Sequence, residues 1–396
     1  LEKEKSMKRG IKTLLAMGMV LSLLAGCGGQ NKAGADSGQP AQDNKGSGKT
    51  ASGDNGDGYT GISAIEACEW AADKYPDAKV IRYTNNTSSN TFDTNGGAIP
   101  AMVLHLAKEL PLRTDGRYRL ELYADGTLAK TVDDIVSGLK SGAFEMNCLS
   151  IGNFGDYTNA FSEMNIPFFF SNEEQVRGIL EAGLKQDMCS RAESDIEGVI
   201  FKGIAPFGFR QMTNNKKEIV APSDLKGLKM RILTDPLQVA AFETMGASVT
   251  NVTYSELYTA LQQGVVDGEE NPYQNLYVDK LCEVQKYCTE TNHLFQMSVQ
   301  VISKNFWDGL TPEDQEIFET LIAEAEEKGY ERVNELNQFY KDECEKTGMQ
   351  VRILTDEELA AFNTMMEESV HEKAVAIMGQ DRWDKLNQYL SDQAAK

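Results

Sequence analysis

The chain has 396 residues, 41% of them hydrophobic and 25% charged, a globular composition too long for one ordinary core, so two lobes are expected. Its 60 acidic residues against 39 basic ones give a net charge of −21, which argues against nucleic acid or an anionic membrane surface as a partner. Seven cysteines include no CxxC pair and no Cys/His cluster at zinc spacing; the nearest pair, Cys282 and Cys288, has five residues between, so no metal site and no cofactor is expected. How the cysteines pair, if at all, is left open.

Residues 1–26 read as a targeting segment: Lys8, Arg9 and Lys12 precede an apolar run from Ile11 to Leu24 that is too short to span a bilayer. Met7 is read as the natural start. The run ends in Leu24-Ala25-Gly26-Cys27, which resembles the bacterial lipobox, so Cys27 is expected to become the acylated first residue of the mature chain. Residues 27–58 hold Gly, Ser, Asp, Asn and Lys with no large apolar residue, the composition of a tether; about 30 such residues reach roughly 30 Å.

The folded part is expected from Tyr59. KVIRYTNN (79–86) reads as a strand, AMVLHLAKEL (101–110) as an amphipathic helix and YRLELYA (118–124) as a strand. Thr131 to Leu139 is helical, Gly142 stops it, and AFEMNCLS (143–150) is a strand. His105, on the apolar helix, reads as a surface or core-edge histidine. IPFFF (166–170) is core, Ser171 to Asp187 a helix and VIFKGIAPFGF (199–209) a strand. LKMRIL (228–233) is a strand carrying Arg231, Ser255 onward is a helix closed by Gly264, and VVDG (265–268) is a strand leading to a polar tip, 269–272. Glu269 and Glu270 read as solvated or hinge-bonding. Around 284–303 the chain returns towards the first lobe. Pro312 to Lys346, capped by Thr311, forms a helix of about 50 Å, longer than one lobe, and Thr355 to Leu390 is helical again.

Strand, loop, helix, strand is the grammar of an open α/β sheet, whose ligands bind at the carboxyl ends of the strands. A helix-Gly-strand unit occurs twice, at 134–145 and 256–267, which predicts two related lobes with 148–153 facing 269–272 across a cleft. The expected division is 59–207 with 296–335 for the first lobe and 208–295 with 336–396 for the second.

GFRQMT (208–213), the run from Pro222 to Arg231, MGAS (245–248), YSELYTALQQGVVDGEENP (254–272), EVQKY (283–287) and TNH (291–293) resemble the DctP-type solute-binding subunits of TRAP transporters, over roughly residues 79–350. The resemblance implies a two-lobed, periplasmic-binding-protein-like α/β fold with a hinge and a long lobe-spanning helix. It also implies a small organic-acid ligand handed to a membrane permease. Carried over by position, Arg231 is the carboxylate-clamping arginine, Arg210 a second arginine, Asn271 the amide on the same carboxylate and Tyr254 an aromatic against the ligand body. Thr84, Asn85, Lys130, Ser150 and Asn153 would face the cleft from the first lobe. The family often has Gln where Glu269 stands, some sugar-acid binders carry a carboxylate where Ser150 stands, and the segment 91–98 is longer than the usual tip loop.

The sequence therefore leads to the expectation of a lipid-anchored, non-catalytic receptor for an organic anion, with a dicarboxylate suited to a second cation. An exported bilobal enzyme is disfavoured by only three histidines (105, 293, 371) and the absence of GxSxG and HExxH motifs. A ligand-presenting sensor subunit would use the same fold.

Overall fold

A computed structural model describes residues 61–394. The expected signal segment, the acylation site at Cys27 and the tether lie outside the described residues. No described helix is long and apolar enough to cross a membrane.

In chain order the strands are β1 (Lys79–Thr84), β2 (Tyr118–Tyr123), β3 (Met146–Ser150), β4 (Val199–Phe209), β5 (Gln211–Asn214), β6 (Lys229–Arg231), β7 (Ser248–Thr250), β8 (Gly268–Asn271), β9 (Tyr287–Glu290), β10 (Phe295–Ser303) and β11 (Gln350–Ile353). They form two sheets, ordered β2-β1-β3-β10-β4 and β11-β9-β5-β8-β6-β7. β1 runs parallel to β2 and β3, as β6 runs parallel to β7 and β8, and an antiparallel strand follows in each sheet, β10 beside β3 and β5 beside β8. The chain is therefore a two-lobed α/β protein in which β1 matches β6 and β3 matches β8. The repeated helix-Gly-strand unit falls on equivalent places: helix Val132–Ser141, left-handed Gly142 and β3 in one sheet, helix Tyr254–Gln262, left-handed Gly264 and β8 in the other.

Two segments cross between the sheets side by side. Arg210 joins β4 to β5, residues 291–294 join β9 to β10, and the Arg210 amide donates to the Leu294 carbonyl at 2.8 Å. The third crossing is the helix Pro312–Lys346, with Thr311 as its cap, as the sequence predicts. It packs on helix Ala98–Arg113 and β4 at one end and on helix Tyr273–Val278 at the other. Phe318, Leu321, Ile322 and Ala325 are buried in the first-sheet core; full burial of a large apolar side chain is worth about 1.5–3 kcal/mol.

Several elements differ from expectation for identifiable reasons. The predicted helix from Ser171 to Asp187 begins at Glu173 under an Asn172 cap, breaks in a π turn at Leu180–Leu184, where Gly183 has φ +113°, and resumes over Lys185–Asp195. β3 starts at Met146, three residues late; just before it the Glu145 carboxylate accepts from the Arg82 backbone amide at 2.7 Å and pairs with its guanidinium at 2.5 Å. IPFFF is core as expected: Ile166 and Phe170 are buried, with Phe168 and Phe169 packed against the same cluster. The largest correction concerns the polar tip. Residues 268–271 are β8 itself, inside the second sheet, and Glu269 and Glu270 are fully buried, which overturns the solvated reading. In the 91–98 segment, Asn95 exchanges hydrogen bonds with Ala64 and Ile62, and its carbonyl accepts from Arg332 on the long helix, so the segment ties three elements together. The C-terminal residues form three helices, Asp356–Ser369, His371–Met378 and Gln380–Ala394, the last joined to Glu163 through Arg382 at 2.5 Å.

Candidate functional site

Arg231 is the last residue of β6 and Asn271 the last of β8, so both stand at the carboxyl ends of neighbouring parallel strands. Register puts Thr213, Glu269 and Arg231 in one row across β5, β8 and β6, side chains on one face of the sheet. Arg231 is 3% exposed. Its Nε donates to the Val252 carbonyl at 3.1 Å, its guanidinium carbon lies 6.0 Å from the Tyr254 ring centroid, and its Nη1 has no hydrogen-bond partner. No carboxylate among the described residues forms an ion pair with it. Burial, then the neighbouring Arg210, lowers its pKa, but a guanidinium starts so high that it stays charged. A buried cation with an idle donor is costly by several kcal/mol unless an anion completes it.

Arg210 is placed differently. Its Nη2 donates to the Glu270 carboxylate at 2.7 Å and also to the Glu270 carbonyl, its Nε donates to the same carboxylate, and its Nη1 donates to Gln296 Oε1. Four of the five guanidinium hydrogens are thereby engaged, which leaves one for any ligand. His293 Nε2 lies 3.2 Å from the same carboxylate and its Nδ1 2.7 Å from Thr291 Oγ1. Burial would push the Glu270 carboxyl up, but Arg210 and His293 outweigh it and hold it down to about 2. Burial lowers the His293 pKa, so the imidazole is neutral and the Arg210–Glu270 pair is the charged unit at the hinge.

Asn271 Nδ2 donates to Glu269 Oε2, and Thr213 Oγ1 lies 2.9 Å from Glu269 Oε1. Burial, then the adjacent Glu270, pushes the Glu269 carboxyl up to about 7. Tyr254 is half-buried; its hydroxyl donates to Asp279 and accepts from Asn275 Nδ2 at 2.6 Å, which fixes the ring beside Arg231.

From the first lobe, Thr84 ends β1, the counterpart of Arg231 on β6. Its Oγ1 is buried without a partner, as are both amide atoms of Asn147, its register partner on β3. Asn85 is engaged in the fold: Nδ2 donates to the Cys148 carbonyl at 2.6 Å and Oδ1 accepts from the Thr87 amide. Ser150 and Asn153 are half-buried and flank Gly152. A Cβ on Gly152 would lie 2.8 Å from Leu233 Cδ1, and one on Gly155 would lie 2.8 Å from Asp235 Cα, so the turn after β3 sits directly on the turn after β6. Asn165 Nδ2 donates to Asp235 at 3.0 Å across the same contact. Lys130 is exposed, and its carbonyl accepts from Asn86. A separate surface groove of about 450 Å³ runs along β2 beside helix Ala64–Lys74, and none of these residues lines it.

Sequence reasoning did not anticipate Glu269 as a buried partner of Asn271, nor Asn147 and Asp235. Asn147 carried a readable signal, an amide inside an otherwise apolar strand; Glu269 left none, because besides its strand neighbour Asn271 its partner Thr213 lies 56 residues away.

A two-lobed α/β chain with polar groups at opposed strand ends belongs to the binding-protein class. Residues 95–376 match the family model DctP, described as bacterial extracellular solute-binding protein, family 7, and the chain belongs to this family. It is 31% identical over 268 residues to the 2,3-diketo-L-gulonate-binding periplasmic protein YiaO of Escherichia coli, covering 66% of this chain and 79% of that one. It is 28% identical over 301 residues to the C4-dicarboxylate-binding periplasmic protein DctP of Vibrio cholerae, covering 75% and 87%. The crystal structure of a TRAP periplasmic solute-binding protein from Polaromonas, bound to D-erythronate, superposes with a TM-score of 0.71 at 25% identity, covering 78% of this chain and 98% of that one. The chain is a solute-binding protein of the TRAP type.

Proposed function

We propose that this protein captures a small organic acid by seating one carboxylate against Arg231 between the lobes and presents it to a TRAP membrane permease. Asn271 supplies the second donor to that carboxylate and the Tyr254 ring packs on the ligand body. Thr84, Asn147, Ser150 and Asn153 close over the ligand from the first lobe, while Arg210 and Asn85 hold the frame. The observation that carries the reading is the buried Arg231 guanidinium with its idle Nη1 and, among the described residues, no ion-paired carboxylate. A carboxylate suits that guanidinium because its two oxygens match the planar fork, each charge-assisted bond contributing about 1.5–3 kcal/mol. Ligand-bridged closure about the paired crossings at Arg210 and 291–294 then commits the solute. The protein acts without catalysis and stays at the membrane through acylated Cys27.

A thermal-shift screen against monocarboxylates, C4-dicarboxylates, aldonic and keto sugar acids and neutral sugars tests the reading. A ligand at a hundredfold excess over its dissociation constant stabilises by about 2.7 kcal/mol. Acids are expected to raise Tm and neutral sugars to leave it unchanged; a shift by neutral sugars alone would remove the anion site.

A further inference from the structure

We propose that Glu269 is a proton-linked partner of the ligand site, holding a hydrogen on its carboxyl when a carboxylate occupies Arg231, so that solute capture takes up one proton. The inference rests on the reading of Arg231 given above.

The hydrogen-bond count around Thr213 points to the proton: one hydroxyl faces three acceptor oxygens, Glu269 Oε1, Gln285 Oε1 and the Glu269 carbonyl. Gln285 Nε2 donates to the Val284 carbonyl at 2.9 Å, which turns its Oε1 towards Thr213 Oγ1, 3.1 Å away. The opposite amide orientation would set Oε1 against the Val284 carbonyl. A hydroxyl has one hydrogen, and that of Thr213 is spent on Gln285 Oε1. The 2.9 Å contact between Thr213 Oγ1 and Glu269 Oε1 therefore needs its hydrogen from Glu269. Glu269 Oε2 accepts from Asn271 Nδ2, so one relay runs from the ligand-facing amide through a neutral carboxyl to Gln285.

Charge placement says what the proton does. Groups facing Glu269 are Arg231 on β6, Arg210 and Glu270 at the hinge, Tyr254 on helix Tyr254–Gln262 and Cys288 on β9. Arg210 is neutralised by Glu270, which leaves Arg231 as the cation without a counter-ion. Ionised, Glu269 stands beside Arg231 in the same row of the sheet and supplies that counter-charge itself; a ligand carboxylate would then meet a neutralised site. Protonated, it leaves the guanidinium to the ligand. Burial and Glu270 already push this carboxyl to about 7, so the exchange falls at ordinary pH. A bound anion raises it further, so affinity is flat below that value and falls above it, approaching about tenfold per pH unit.

The test is titration calorimetry of the full chain with D-erythronate, succinate and 2,3-diketo-L-gulonate, all ionised at neutral pH, in buffers of different ionisation heat near pH 8. The wild type is expected to take up close to one proton and to bind about tenfold more weakly for each unit above pH 7. Glu269→Gln keeps the acceptor for Asn271 and a donor for Thr213, and is expected to bind with no proton uptake and a flat pH profile. Wild-type binding without proton uptake, or unchanged uptake in Glu269→Gln, overturns the proposal. If no probe binds, it is the Arg231 reading that fails, and infrared difference spectra of wild type minus Glu269→Gln decide the proton separately. A carboxylic-acid carbonyl band near pH 6 that vanishes near pH 9 supports it, and its absence near pH 6 overturns it.

Discussion

Removing the Arg210 guanidinium should unfold the hinge rather than merely empty the site. In Arg210→Met the Glu270 carboxylate, fully buried, keeps only the neutral His293 and loses two charge-assisted bonds, while the Glu270 carbonyl and Gln296 each lose a donor. Breaking a buried ion pair from one side costs about 3–5 kcal/mol because the remaining charge is uncompensated. At roughly 2 cal/mol/K per residue, that lowers Tm by about 4–7 °C in a folded unit of this size. The sign can be checked with pH. Glu270 has its folded pKa held at about 2, below the ordinary value of 4.5, so the pair's stabilisation is complete above that ordinary value and is lost as pH falls through about 2. In Arg210→Met the carboxyl is no longer held down, so the variant's deficit should be large at neutral pH and shrink as Glu270 protonates. Arg210→Met/Glu270→Met should recover much of the loss. Differential scanning calorimetry of the three variants provides the readings. If Arg210→Met left Tm unchanged while abolishing ligand binding, Arg210 would be a ligand contact and the structural role argued here would be wrong.

Glu269 should show the opposite pH signature. Its folded pKa of about 7 exceeds the ordinary 4.5, so its contribution is fully present below 4.5 and lost as pH rises through 7; Glu269→Gln should stabilise the ligand-free protein near pH 8 by up to about 3 kcal/mol, and scarcely near pH 4. An equal effect at both values in a melting series would contradict this. Gly155→Val places a side chain where a Cβ already lies 2.8 Å from Asp235 Cα, so the lobes should fail to meet: affinity falls at least tenfold and small-angle scattering gives a larger radius with ligand present, against no change if the contact is incidental. Thr84→Val removes a buried hydroxyl that has no partner, so the free protein should gain up to about 1 kcal/mol by urea unfolding while ligand affinity drops; loss of stability would mean the hydroxyl is already satisfied.

Local chemistry made the long elements readable. Thr131 with Asp134 and Thr311 with Asp314 cap helices through contacts three residues apart, and Gly142 and Gly264 take the left-handed conformation that ends them, all within one window of sequence. The 35-residue helix was legible for the same reason. β8 was not, because Gly-Glu-Glu-Asn looks like a loop until its partners are known. Glu270 is compensated by Arg210, 60 residues earlier, and Glu269 by Thr213, 56 residues earlier. Arg231 and Asn271 were placed by strand pattern and resemblance together, but that Arg231 has no ion-paired carboxylate among the described residues could emerge only from the packed structure. The division of labour between the two arginines was likewise invisible, since neither has its eventual surroundings beside it in the sequence.

The most direct test of the carboxylate anchor is a comparison of wild type and Arg231→Met by titration calorimetry with the strongest acid from the screen, together with their ligand-free melting temperatures. Losing two charge-assisted bonds should weaken binding by about 10²–10⁴-fold, and relieving a buried uncompensated charge should leave the free protein equally or more stable. Unchanged affinity, or lost affinity accompanied by a large fall in ligand-free Tm, would contradict the assignment of Arg231 as the anchor.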